Sequence, residues 1–345
     1  MEQTPFVMHF MIEKKEGFGE DSDPLSFYSE DAGYAATGVF DGLGGSGASL
    51  VHSTFGERTS AYVASRLIKA TTEDYVKQHI KEDDFSLDSA DFKQALIKCL
   101  QDEKNRFSRE KKSLLRSSIV REYPTTMAVV IVKSQDSNYM VDSYWAGDSR
   151  NYLLNETCLK QLSNDDLQVA YDPLENIKND APISNCVCLD RSFNIKKMTL
   201  SVNKPFLVFS ASDGCFGYLK TPMHFESVLL NTLFDSEVLD INDWKKGLMR
   251  EMRQTAGDDI SFSLIGVGYE SFSALKKSLQ NRKESIDKII AEYENLENAL
   301  DEAKKGVFAA ENALVAGEAT LWSIYKKSYL DLFIKEENDE KRRDS

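Results

Sequence analysis

Short apolar runs separated by polar turns fill the first 270 residues, and the runs are rich in β-branched and aromatic side chains. Strands are predicted at Tyr34–Phe40, Met127–Lys133, Tyr139–Ala146, Asn151–Leu154, Lys197–Val202, Phe206–Ala211 and Ile260–Gly268. Two long helical patterns lie between residues 45 and 110. The first is read from the glycine-rich turn onward, through Val51, Phe55, Tyr62, Val63 and Leu67. The stretches "VKSQDSNY" and "YLLNETCLKQL" look like hairpin turns, which favours antiparallel sheets with helices outside them over βαβ units. The polar segment Asn164–Asn185, with Pro173 and Pro182, has no clear period and reads as a surface flap. The texture is α+β.

Beyond Ser273 the pattern changes. Leu279, Ile286, Tyr293, Leu300, Val307, Leu314 and Leu321 recur every seventh residue, and Ile289, Leu296, Ala303, Ala310 and Ile324 lie three further on. That is the a/d seam of a coiled coil, with mostly charged and polar residues between. Heptads alone do not name the partner. A helix or helical hairpin folding back on its own domain, with a bend at Gly306 or Gly317, satisfies the pattern, and so does pairing between chains. The expected organisation is a catalytic-type domain over 1–270, a heptad-bearing extension over 271–337, and a disordered tail over 338–345.

Composition narrows the function classes. Forty-two Lys plus Arg against 56 Asp plus Glu give a net charge of −14, which argues against a nucleic-acid partner. Five cysteines, Cys99, Cys158, Cys186, Cys188 and Cys215, lack the spacing of a secreted disulfide framework. Cys186 and Cys188 read as small apolar residues on one face of an extended segment. No signal peptide and no membrane span is expected, and a cytoplasmic location follows.

The segment "GVFDGLGGSGASLV" poses the chemical question. Gly42, Gly44 and Gly47 fit a G-x-G-x-x-G phosphate cradle, yet Asp41 would set a carboxylate against any bare phosphate and instead attracts a divalent cation. Further acids stand at the end of a predicted strand or in the turn beside one: Glu20 and Asp21 in "GFGEDS", Asp148 in "WAGDSRNYLL", Asp213 in "FSASDGCFG", Asp258 and Asp259 in "AGDDIS". Brought to one end of a sheet, such carboxylates repel and raise one another's pKa unless hard cations neutralise them. Glycine beside Asp41 and Asp213 lets the backbone turn sharply there.

In this combination and order, the motifs resemble those of the metal-dependent (type 2C) serine/threonine protein phosphatases, bacterial type. "GVFDGLGG" looks like the V-x-D-G-x-G-G element, "WAGDSRNYLL" like the G-D-S-R turn, "LVFSASDGCFGYL" like the S-D-G motif, "GDDISFSLIGV" like the D-N-x-[ST] element, and "PTTMAVVIV" like the T-T strand. The likeness spans roughly residues 10–268 and implies an α/β/β/α sandwich of two antiparallel sheets flanked by helices, followed here by the C-terminal helix or hairpin. It also implies two, or three, Mn²⁺ or Mg²⁺ ions. Asp41 would bridge two of them, with Gly42 giving its carbonyl oxygen. Asp213 and Asp258 would hold one ion, Glu20 beside Asp21 the other, and Asp148 with Asp213 a third. Such a pair of ions lowers the pKa of a water between them, so no protein nucleophile is needed. The implied activity is hydrolysis of phosphoserine and phosphothreonine in proteins.

Three positions depart from the pattern. Leu43 stands where many eukaryotic members have His, and His52 nearby is read as a packing residue. Lys14 or Lys15 replaces the arginine that commonly takes substrate phosphate, without its bidentate fork. Asp259 stands where Asn is usual. These departures and the long seam define the competing class, a weak or inactive phosphatase-like scaffold acting through its coiled coil. Asp41, Asp213 and Asp258 favour the enzyme, since an idle site has no need of three repelling acids. A phosphoprotein substrate is implied, and residues 273–335 offer a surface for a homodimer or a partner helix. Arg150 is read as structural, paired with a carboxylate, and Cys215 as buried and inert.

Overall fold

The predicted strands form, and with them five that the apolar pattern did not single out. The structure, a computed structural model, describes residues 6–29, 33–82, 84–107, 120–135, 138–169, 172–179 and 181–330. Its strands are β1 (Phe6–Ile12), β2 (Leu25–Ser29), β3 (Tyr34–Val39), β4 (Leu50–Ser53), β5 (Gly56–Thr59), β6 (Met127–Gln135) and β7 (Asn138–Ala146). They continue with β8 (Arg150–Leu154), β9 (Leu159–Gln161), β10 (Lys196–Val202), β11 (Phe206–Ala211) and β12 (Ile260–Val267). Two five-stranded antiparallel sheets result, in the orders β1-β12-β11-β8-β9 and β10-β7-β6-β3-β2. The central strands β3, β11 and β12 are buried along their whole length, which is why they read as continuous apolar runs.

Between the sheets Val130, Val132, Val141, Leu153, Val208 and Ile265 interlock. One polar group is built into this layer. Asn151 Nδ2 donates to the carbonyls of Val129 (3.2 Å) and Tyr144 (3.0 Å) on the facing sheet, while its oxygen accepts from Ser210 (2.7 Å) on its own. Helices α1 (Ser60–His79) and α2 (Ala90–Phe107) cover the outer face of the second sheet through Val63, Ile68, Val76, Phe92 and Leu96. On the first sheet, α4 (Pro222–Phe234) sets Phe225 against Tyr152 and Phe209, with centroids at 5.4 and 6.2 Å. Helix α5 (Ile241–Thr255) packs along β1. The α/β/β/α layering expected from the sequence is the layering observed.

Two expectations need correction. The helix does not follow directly on the glycine-rich turn; a β4–β5 hairpin intervenes, and α1 begins only at Ser60. Val51 and Phe55 lie four apart, a spacing that a short hairpin satisfies as well as a helix. Gly56 turns the hairpin at φ +84°, and the Glu103 carboxylate from α2 binds Thr54 N–H at 2.6 Å. His52 is consequently exposed on β4 rather than packed in a helix. The flap also holds a short helix, α3 (Pro173–Lys178), capped by Asp172.

The last helix, α6 (Phe272–Tyr329), runs unbroken through Gly306 and Gly317, so no hairpin forms over that range. Tight contacts divide the chain into Met1–Asp287 and Lys288–Ser345. Within the first unit Leu275, Leu279 and Ile286 are buried, and Arg282 grips Glu226 with two bonds of 2.6 Å. In the second, Leu296, Leu300, Val307, Leu314 and Leu321 are exposed. The tail expected at 338–345 lies outside the described residues. Among the described residues, no helix is long and apolar enough to cross a membrane.

The flap is anchored by charge. Arg150, 1% exposed, forks onto Asp165 at 2.8 and 2.6 Å and lies 4.2 Å over the Phe216 ring. Removing one partner leaves the other charge buried and uncompensated. Arg150→Ala is therefore expected to cost about 3–5 kcal/mol in urea denaturation. The double variant Arg150→Met/Asp165→Leu should cost less than either single truncation, because no orphaned ion remains.

Candidate metal centre

The acids singled out in the sequence sit at strand ends or in the loops between strands. Asp41 lies two residues beyond β3, and Asp213 follows β11 in a single 3₁₀ turn, Asp213–Cys215. Asp148 lies in the β7–β8 turn, Asp258 and Asp259 lead into β12, and Glu20 with Asp21 occupies the β1–β2 loop. Because the strands are antiparallel neighbours in two facing sheets, these turns share one end of the sandwich.

Glycines make the close approach. A Cβ on Gly42 would stand 2.5 Å from the Glu20 carbonyl oxygen. One on Gly44 would stand 1.7 Å from Glu20 Oε2, and one on Gly214 would stand 1.8 Å from the Asp259 carbonyl oxygen. At Gly42 and Gly214 the obstacle is backbone and no side chain fits, whereas at Gly44 the Glu20 carboxylate itself would have to move; the glycines serve the convergence of the acidic loops.

The acids are held from behind. Thr126 Oγ1 accepts the Asp41 N–H at 3.1 Å, and Thr125 Oγ1 donates to the Asp41 carbonyl at 2.7 Å. Thr59, the N-cap of α1, donates to Glu20 Oε1 at 2.5 Å. Arg66 donates to the carbonyls of Gly19 and Glu20, both at 3.2 Å, while its guanidinium stacks 3.3 Å from the Tyr62 ring centre. Asp259, buried, accepts the N–H groups of Lys14 (2.7 Å), Glu20 (2.6 Å) and Asp21 (3.5 Å). Its carboxylate thus fastens the β1–β2 loop, where the sequence suggested only extra charge beside Asp258.

Electrostatics show how near the acids are. Burial pushes the Asp41 carboxyl well above the usual carboxylate range, and Asp21, Asp213 and Asp148 push it further. Asp148 is raised by burial and then by Asp213, and Asp213 by burial and then by Asp258. Glu20 is raised by burial, with Asp259 and Asp258 adding to the rise against the Thr59 bond. Asp21, 1% exposed, is raised to about 7 by burial, with Asp259 and Asp213 contributing. Asp41, Asp148 and Asp213 are only half-buried, so solvent reaches the cluster from outside.

Among the described residues, no three His, Cys, Asp or Glu side chains already surround one point as they would an ion. The carboxyls instead pair with each other, Asp21 with Asp41 and Asp41 with Asp213. A shared proton and a cation offset the same repulsion. Two buried oxygens, Asp21 Oδ2 and Asp148 Oδ1, have no hydrogen-bond partner. Orphaned carboxylate oxygens in an all-oxygen donor set fit a hard divalent cation.

The two lysines singled out in the sequence are placed less tightly. Lys14 is exposed and tied to the site only by its backbone, and Lys15 Nζ lies 4.2 Å over the exposed Phe18 ring. Cys215 is buried, donates to the Ser261 carbonyl at 3.3 Å, and has its thiol pushed well up by burial. Sequence reasoning missed Thr59, Arg66 and Asp165. Thr59 carried a findable signal, a threonine immediately before an apolar helical run.

No protein-family model matches the sequence, and no curated protein sequence matches it. Solved structures do. A bacterial serine phosphatase aligns at 17% identity and TM-score 0.52, over 77% of this chain and 98% of that one. The serine/threonine phosphatase Stp1 from Staphylococcus aureus aligns at 16% and 0.52, over 78% and 97%. That of S. agalactiae aligns at 16% and 0.51, over 77% and 100%. The fold of this chain is that of the bacterial serine/threonine phosphatases, as the order of its acidic motifs leads one to expect.

Proposed function

We propose that the protein is a metal-dependent hydrolase of phosphoserine and phosphothreonine in proteins. The observation that carries this reading is the cluster of acids raised by burial and by neighbouring carboxylates, with two orphaned oxygens, at one end of a phosphatase-like sandwich. Asp41, Asp213 and Asp258, with Glu20, Asp21, Asp148 and the Gly42 carbonyl, would hold two or three Mn²⁺ or Mg²⁺ ions. When bound, such ions supply an acidified water and offset charge on the departing alkoxide.

The chain's own residues do the positioning. Thr125 and Thr126 fix the Asp41 backbone, and Thr59 and Asp259 fix Glu20. Lys14 and Lys15 are the cations offered to a substrate phosphate. Cys215, held protonated and turned to a carbonyl, takes no part as a nucleophile. The heptad extension offers a surface for a homodimer or a partner helix.

Calorimetry with Mn²⁺ and turnover of a phosphothreonine peptide test the site. Asp41→Asn and Asp213→Asn should each lose the binding heat and nearly all hydrolysis while far-UV circular dichroism is unchanged. Turnover in both variants would refute the assigned acids, and a wild-type chain that binds no Mn²⁺ would leave the scaffold reading. Thr59→Val is expected to weaken Mn²⁺ by about 10–100-fold, the usual effect of losing a ligand's support.

The raised acids predict a pH dependence with a definite sign. In chelator the folded chain holds Asp21 protonated up to about pH 7, far above an unfolded carboxyl. Its stabilising contribution is complete below about pH 4 and is lost as pH rises through about 7. Urea midpoints in chelator should fall over that window, and Asp21→Asn should flatten the fall. Saturating Mn²⁺ should reverse the slope, because the ion binds the deprotonated acids.

A further inference from the structure

Between Lys288 and Tyr329 the helix carries large apolar residues that stand open: Leu296, Leu300, Val307, Leu314, Leu321 and Ile324 are 55–71% exposed. Beside them runs a row of small residues at the same seven-residue period, Ala303, Ala310 and Gly317 in one line and Ala299, Gly306 and Ala313 in the next. We propose that this helix pairs antiparallel with the same helix of a second copy, about a two-fold axis between Phe308 and Ala309.

Size matching selects that arrangement. In an antiparallel seam each a position faces a d position of the other chain. Here Leu300 meets the second copy's Gly317, Val307 its Ala310, and Leu314 its Ala303, so each large side chain enters a space left by a small one. Further out, Leu321 meets Leu296 and Tyr293 meets Ile324. A parallel, in-register pair would set Ala303, Ala310 and Gly317 against themselves. Three successive layers would then be underfilled, each a cavity with its own cost.

Charge selects it again. The stretch Glu292–Glu302 contains five acids and no base, whereas Lys304–Lys327 contains four lysines and two glutamates. Antiparallel pairing brings opposite charges together at the flanking positions, with Glu292 facing Lys327 and Lys304 facing Glu311. One like-charged pair, Glu297 with Glu318, falls on the screened rim. Parallel pairing would instead set Glu292 against Glu297 with no attractive pair to offset it. Length agrees as well: in this register Lys288 faces Tyr329, so the stretch, about 60 Å long, is matched from end to end.

The full-length chain tests the proposal, which does not depend on the phosphatase reading. Light scattering should give twice the 39.0 kDa chain mass. Under mild oxidation, Leu300→Cys/Gly317→Cys should cross-link between chains well above the wild-type background from its native thiols, and Leu300→Cys alone should not. Gly317→Leu fills the space opposite Leu300 and should weaken the dimer at least about tenfold, although it raises helix propensity. Cross-linking by Leu300→Cys alone, a dimer tightened by Gly317→Leu, or a monomeric mass would each overturn the proposal. Trp322 and Tyr325 beside Lys326 and Lys327 are groups that a lipid surface would take. A monomer that sediments with phosphatidylcholine vesicles would therefore assign the face to a membrane and overturn it too.

Discussion

Like charges forced together in a poorly solvated place dominate this molecule. Asp21, Asp213 and Asp148 each push the Asp41 carboxyl up, and none can spread away, because the turns that carry them are pinned by hydrogen bonds from other elements. A proton relieves such repulsion, and a cation would relieve it too, in competition with the proton. The rest of the fold reads as the apparatus that keeps the conflict in place: glycines where loops touch, threonines behind Asp41 and Glu20, and Asp259 stitching the first loop to the last strand.

Much of this was legible in the sequence, and the boundary of legibility has a physical meaning. Seven strands were legible to within a residue or two, the central ones because strands buried on both faces read as continuous apolar runs. The β4–β5 hairpin was illegible: it is short and largely exposed, and its apolar residues fall at a helical spacing. The acids announced themselves by standing beside glycines at strand ends. Their supports did not, since Thr126 and Asp259 act on residues 85 and up to 245 positions away and nothing local marks them for it.

Asp259 illustrates how position overrides composition. By sequence it is one more negative charge beside Asp258. In the fold both its oxygens accept backbone N–H groups, so it organises the loop bearing Glu20 and Asp21. Arg150 shows the same point from the cationic side. It lies next to the acidic turn yet is committed to Asp165, and its charge serves the flap anchor.

The amide of Asn151 reaches from β8 across the middle of the sandwich to two carbonyls on the opposing sheet. A polar latch at that depth can be undone only by parting the layers, since Asn151 is fully shielded from solvent. The two sheets must therefore breathe as one plate, and their central amides should exchange with solvent only when the whole domain opens. The loops at the rim inherit a common, stiff foundation, so whatever mobility the acidic end has belongs to the loops themselves.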